Sequence, residues 1–292
     1  MKPLHIVLAL LTAVLWGLAF VVSKASLAAF TPTQLTGLRF AFAGLPALVI
    51  APPKISPLRL VMISFFLFGL QFELQFIGIK LGMPAGLTAF MIQSQALFTV
   101  LLAALWLGER PSHRQFIALG IGLCGLVLIA LGLGQGATSI GFALVLTASL
   151  SFALGNLLLK TSGKTDMLPL IVWASALLPL PALVASWFLD HGRLGFAVLL
   201  HAPLTAYAGP AFLGLVATTF GYTVWAHLLK TYSAAAVAPY ALLAPCVGLV
   251  GSMLVFGERF GVLEFSGVAA IFAGLALSLI PMRPTRAADH GT

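Results

Sequence analysis

Residues 83–126 read MPAGLTAFMIQSQALFTVLLAALWLGERPSHRQFIALGIGLCGL, and residues 232–275 read YSAAAVAPYALLAPCVGLVGSMLVFGERFGVLEFSGVAAIFAGL. Laid on one another without a gap, they match at the tripeptides Gly108-Glu109-Arg110 and Gly257-Glu258-Arg259, at Phe116 with Phe265, and at Gly125-Leu126 with Gly274-Leu275. Each holds an apolar run, a short charged break and a second apolar run, so what the first copy builds the second builds again. Further upstream, Leu11-Thr12-Ala13 running to Lys24 resembles Leu146-Thr147-Ala148 running to Lys160, with one residue inserted. The chain reads as two copies of one unit.

The medium in which those units fold follows from composition. A soluble domain carries about a quarter charged residues, whereas these 292 residues are 8% charged and 61% hydrophobic, with a mean hydropathy of +1.10. Apolar runs lie at about residues 5–23, 33–51, 59–80, 84–107, 114–133, 139–159, 168–189, 203–228, 234–256 and 263–281. Their length is near the roughly 20 residues that a spanning helix needs. They are too continuously apolar for barrel strands, and lipid requires every backbone polar group to be satisfied internally. The expected fold is all-α and integral to the membrane, with ten transmembrane helices.

Five spans per copy is an odd number, so the second copy enters the membrane from the side opposite to the first. Residues 1–136 form the first five-helix repeat, 137–282 its inverted partner, and 283–292 a short cytoplasmic tail. Of the fifteen Lys and Arg, Lys2, Lys54, Arg59, Arg110, Arg114, Lys160, Lys164, Lys230, Arg283 and Arg286 fall on the side of the N-terminus. Lys24, Arg39, Lys80, Arg193 and Arg259 fall on the other, which places both termini in the cytoplasm. The formal net charge of +8 then belongs to loops facing anionic lipid, and nucleic acid is not an expected partner. The apolar run after Lys2 is kept as the first span rather than as a cleaved signal peptide. Cys124 and Cys246 lie inside apolar runs, so neither a disulfide nor a zinc site is expected, and no cofactor is implied.

Inverted repeats characterise secondary transporters, whose substrate site lies near the midplane between halves. Other classes fare worse. An embedded enzyme needs paired acids, an activated nucleophile or metal ligands. This chain has one acid inside a span, no Gly-x-Ser-x-Gly, and six histidines scattered among termini and loops. Gly163-Lys164-Thr165 lacks the glycine of an ATP-binding loop, so energy would come from substrate or proton gradients. A channel is disfavoured by the repeat.

Trp16-Gly17, Gly37-Leu38-Arg39-Phe40, Gly82-Met83-Pro84-Ala85-Gly86-Leu87 leading to Gln93 and Gln95, and the paired Gly-Glu-Arg helix ends together resemble the EamA branch of the drug/metabolite transporter superfamily. The resemblance covers nearly the whole chain. It implies a bacterial inner-membrane exporter of amino acids or their derivatives working by alternating access. Within the branch the chain looks most like exporters of cysteine and O-acetylserine; relatives carrying aromatic amino acids, threonine and homoserine, or cationic drugs supply the alternative substrates. The expected partners are a small-molecule substrate, the lipid bilayer and protons as a candidate coupling ion, with the chain acting as a monomer or homodimer.

Polar side chains at bilayer depth mark pathways by default. Glu73 is the acid clearly inside a span, about 10 Å below its outer end at 1.5 Å per residue, and Arg39 lies at a similar depth. The preferred reading is an Arg39–Glu73 ion pair that fixes helix packing; the alternative is a site for a proton or the substrate ammonium. Gln71 and Gln75, four residues apart, share a helix face. Gln93 near the midplane and Asn156 in the sixth span either line a pathway or bond across helices. Mid-span aromatics Trp16, Trp173, Tyr222, Trp225 and Tyr240 supply the apolar half of a pocket or simply pack. The cavity is expected between the first, third, fourth, sixth, eighth and ninth spans. Glu109-Arg110 and Glu258-Arg259 mark where helices leave the membrane, with gating as the alternative.

Overall fold

A computed structural model describes residues 1–133, 138–163, 165–190 and 192–279. The tail 283–292, Lys164, Arg283 and Arg286 lie outside the described residues. Within them the chain is all-helical. Eight helices are long and apolar enough to cross a membrane: α1 (Pro3–Ser26), α3 (Pro57–Lys80), α4 (Ala85–Leu107), α5 (His113–Gly132), α6 (Ser139–Lys160), α7 (Met167–Leu189), α8 (Leu204–Thr231) and α9 (Ala234–Ala241 continued by Leu243–Phe256). Two are shorter, α2 (Pro32–Gly44) and α10 (Val262–Leu279). Large apolar side chains such as Leu4, Leu105, Phe188, Leu254 and Val262 stand exposed on the outside of the bundle, where lipid would be their solvent.

Local chemistry sets the helix ends. Pro3, Pro32 and Pro57 occupy first-turn positions, where a missing N–H costs nothing. Thr31 with Gln34 and Ser112 with Gln115 form capping boxes, each satisfying two orphan donors reciprocally. Gly108 and Gly257 end α4 and α9 at φ of 65° and 64°, left-handed values that favour glycine.

The second helix is shorter than the sequence suggests. Its α-helical part stops at Gly44 and tightens into a 3-10 turn over Leu45–Leu48, because Pro46 has no N–H to continue the ladder. Arg193–His201 forms a short helix where the sequence analysis expects only a connection.

Several irregularities recur at the 149-residue spacing of the sequence repeat. α4 breaks at Gln93–Ser94 and α9 at Leu242; Gly108 and Gly257 obey the same offset. The third helix of each half carries a π segment, Ser64–Gly69 in α3 and Phe212–Phe220 in α8. The fifth helices, α5 and α10, cross at glycines. A Cβ on Gly125 would sit 2.7 Å from the Gly267 carbonyl oxygen, and one on Gly267 would sit 2.6 Å from that of Gly125. Side-chain-free backbone contact of this kind brings helices together where lipid provides no hydrophobic drive.

Candidate functional site

Residues at both helix breaks, Gln93 in α4 and Ala241 in α9, line a central cavity of about 270 Å³. Its wall is built from α1 (Trp16, Ala19, Phe20, Ser23), α2 (Arg39), α3 (Gln71, Phe72, Gln75), α4 (Ala89, Ile92, Gln93, Gln95), α6 (Phe152, Asn156), α8 (Tyr222, Trp225) and α9 (Ala241, Ala244, Pro245). The six spans expected around the cavity all contribute, and α2 adds a seventh.

Trp16 is held by the π segment of α8. Such a segment frees carbonyls from the i−4 ladder, and Trp16 Nε1 donates to the Ala217 carbonyl at 2.9 Å. Gly221 leaves room for the indole, since a Cβ there would meet Trp16 Nε1 at 2.7 Å. Gly17 lets α9 approach on the other side, its missing Cβ lying 2.5 Å from the Ala244 carbonyl oxygen. Trp225 and Tyr222 stand 5.1 and 5.4 Å from Trp16, ring centre to ring centre, so the three rings form one aromatic wall.

The cavity wall also carries polar side chains. Gln71 Nε2 donates to Gln75 Oε1 at 2.8 Å, one helical turn on. Gln71 is 1% exposed, and its Oε1 has no protein partner. Asn156 Nδ2 donates to Gln95 Oε1 at 2.6 Å, tying α6 to α4. Gln93 sits at the break of α4, where Gln93 and Ser94 N–H groups turn back to Phe90 and Met91.

The Arg39–Glu73 pair expected from the sequence is not formed. Thr33 and Thr36 on α2 donate to the Glu73 carboxylate at 2.8 and 2.7 Å and satisfy it away from the cavity. Arg39, one turn further along α2, enters the cavity wall instead. Its Nε and Nη2 donate to Thr218 Oγ1 at 3.2 and 3.0 Å, and its guanidinium lies 3.8 Å from the centre of the Phe72 ring. The hydroxyl of Thr218 is presented by the same π segment, where it also donates to the Leu213 carbonyl.

Of the residues singled out in the sequence, Trp16, Gln71, Gln75, Gln93, Asn156, Tyr222 and Trp225 line the cavity. Glu73, Trp173 and Tyr240 do not. Trp173 Nε1 donates to the Ile50 carbonyl, and Tyr240 packs against a cluster of Ala9, Leu228 and Val237. Arg39 is the wall residue that the sequence does not assign to the cavity; Thr33 and Thr36, at i and i+3 on α2, are the signal in the sequence that Glu73 has other partners.

Two ion pairs close the ends of the bundle. Lys24 Nζ lies 2.6 Å from Glu258 Oε1, with Glu258 only 8% exposed, and the Ala85 and Gly86 N–H groups donate to the same carboxylate at 2.9 and 3.1 Å. Burial pushes this carboxyl up, but the Lys24 ammonium and the two N–H groups outweigh it and hold the group below its ordinary range. At the other end Lys160 Nζ lies 2.6 Å from Glu109 Oε1, each half exposed.

Comparison with known proteins agrees with this architecture. A protein of Escherichia coli named a probable amino-acid metabolite efflux pump is 39% identical over 299 residues, covering 98% of each chain. Its namesake in Salmonella typhimurium is 38% identical, covering 96% of each. A solved crystal structure shares the fold at a TM-score of 0.58 and 17% identity, covering 92% of this chain and 94% of its own. The sequence model of the EamA-like transporter family matches residues 3–131 and 139–280. A helical bundle with a polar and aromatic cavity at its centre, matched over both halves, belongs to the EamA-like transporter family.

Proposed function

We propose that this chain exports amino acids or amino-acid derivatives across a bacterial inner membrane, binding them in the central cavity and exposing that cavity to each side in turn. The observation that carries the reading is the cavity itself: about 270 Å³, just under the roughly 300–1,000 Å³ of ligand pockets, and lined by both aromatic rings and amides. That volume fits a small metabolite better than a drug. The names of the relatives point the same way.

The topology that fits is ten spans in two inverted five-helix repeats, residues 1–136 and 137–282, with both termini cytoplasmic. It is supported by the paired breaks, the paired π segments and the paired glycine caps at one spacing. The substrate pathway is Trp16, Gln71, Gln75, Gln93, Asn156 and Tyr222, with Arg39 added. Glu73, bonded to two threonines outside the cavity, has a structural part in this reading.

Purified protein in liposomes loaded with one amino acid tests this by counterflow of its labelled form, with aromatic, hydroxylated and sulfur-containing amino acids run side by side. Saturable exchange is expected for at least one class. Flux linear in concentration, or none from folded protein, overturns the proposal.

A further inference from the structure

We infer that the cavity recognises its substrate through a carboxylate and needs no ammonium, so that amine-blocked amino acids are ligands as good as free ones. The inference rests on the proposed function and adds the chemical class. The cavity wall contains one cation, Arg39, and no carboxylate. Arg39 is 4% exposed, and among the described residues its hydrogen bonds reach only Thr218 through Nε and Nη2, which leaves Nη1 without a protein acceptor. A guanidinium held in an apolar interior without a counter-ion is costly, and an entering carboxylate relieves that cost. It would do so at the fork geometry arginine offers to carboxylates.

At the amine end the wall offers only neutral groups. Gln71 Oε1 is buried without a partner, and both Gln71 and Gln93 line the wall. An amide oxygen accepts from the N–H of an acylamino group as well as from an ammonium, and an amide N–H can donate to the acyl oxygen. The Trp16–Trp225 wall accepts either an apolar acyl group or a side chain.

The test is binding read by tryptophan fluorescence, with Trp16 and Trp225 as reporters, in folded wild-type protein. A free amino acid, its N-acetyl derivative and its carboxamide are compared, and each is also run as a competitor in counterflow. N-acetylation should change affinity by less than about threefold, and amidation of the carboxyl should weaken it by about tenfold or more. Arg39→Lys should keep part of that discrimination and Arg39→Gln abolish it. Should Arg39→Gln not fold, the ligand series on the wild type decides alone. A carboxamide as potent as the acid, an N-acetyl derivative that fails, or no carboxylate binding at all overturns the inference. Binding without counterflow overturns only the transport reading.

A second inference rests on the two ends of the bundle. At one end the start of α4 is seated on the second half of α9: a Cβ on Gly86 would lie 2.4 Å from Ser252 Oγ and 3.1 Å from Leu249 Cα, and Leu87 shares a buried cluster with Leu249. At the other end the corresponding place is a notch of about 150 Å³ lined by Thr99, Val100, Ala103, Glu109 and Lys160. Thr99, Val100, Ala103 and Glu109 stand 149 residues before Gly248, Leu249, Ser252 and Glu258. The residues that would fill the notch by the same offset are Ala234, Ala235 and Ala236, at the start of α9. The geometry assigns the opposite transport state: α9 docks its first turn in the notch with the Ala234 and Ala235 N–H groups on Glu109, while Glu258 releases Ala85 and Gly86.

Cysteines at Val100 and Ala236, in a background with Cys124 and Cys246 replaced by alanine, report that docking by cross-linking with a short dimaleimide. Cross-linking should rise in Glu258→Gln, fall in Glu109→Gln, and arrest counterflow. Turnover without any cross-link, or equal cross-linking in both carboxylate variants, overturns the assignment.

Discussion

Replacing Lys24 by Met separates the two ends of the bundle energetically. Glu258 is 8% exposed and Lys24 32% exposed, so the variant leaves a largely buried carboxylate without its cation. Breaking a fully buried pair costs about 3–5 kcal/mol. Here the Ala85 and Gly86 N–H groups remain on the carboxylate and Lys24 is partly solvated, which lowers the expected loss to about 1–3 kcal/mol. Lys160→Met removes the counterpart from a pair exposed 48% on both sides, where the expected loss is about 0–1 kcal/mol. Thermal unfolding in detergent, followed by the retained monodisperse peak, compares the two variants. A pH series adds a second reading. The folded Glu258 carboxyl lies below its ordinary value near 4.5, so its contribution is fully present above that value and is lost as pH falls through the lower folded one. Lys24→Met should therefore narrow the gap between neutral and acidic stability. Equal losses in both variants, or a Lys24→Met loss too small to measure, would refute the assignment of Lys24 as the holder of Glu258.

Further outcomes follow from single contacts. Glu73→Gln should leave any pH dependence of flux unchanged and alter its rate by less than about threefold, because the amide still meets Thr33 and Thr36; a pH dependence that vanished in this variant in counterflow would make Glu73 a proton carrier. Trp16→Phe keeps an aromatic ring but removes the bond to Ala217 and should cost about 1 kcal/mol in the unfolding assay. Gly125→Val places a side chain against the Gly267 backbone, which cannot yield as a side chain could, and should sharply reduce folded yield after membrane extraction. Gly257→Ala, at φ of 64°, should cost about 1 kcal/mol in the unfolding assay.

The helices were legible because their signal is length and apolarity, which lipid demands of any span, and the repeat was legible because Gly108 and Gly257 must each be glycine to end a helix left-handed. Less visible was where helices deviate. Nothing in the residue types of Phe212–Phe220 announces a π segment, although its Ala217 and Thr218 receive bonds from Trp16 of α1 and Arg39 of α2. Glu73 and Arg39 were read as partners because depth along a helix is computable from sequence, whereas the rotation of two helices about their axes is not. Gln71, Gln75, Gln93 and Asn156 line the cavity, and Asn156 also bonds across helices to Gln95. Trp173 and Tyr240, judged on depth alone, were drawn off by a carbonyl and by a neighbouring apolar cluster.

A π turn holds one residue more than the α turn it replaces, and in α8 how that surplus is absorbed decides which side chains face the centre of the bundle. Were Phe212–Phe220 to close as an ordinary α-helix with no residue removed, everything after it would rotate by about 100°, and Tyr222 and Trp225 would swing out of the cavity. Deleting one residue there would instead remove the surplus and leave both rings facing the centre, while closing the ladder that now leaves the Ala217 carbonyl to Trp16. The surplus residue therefore serves the seat of the indole, and the facing of the two rings after it depends on the surplus being absorbed within the segment.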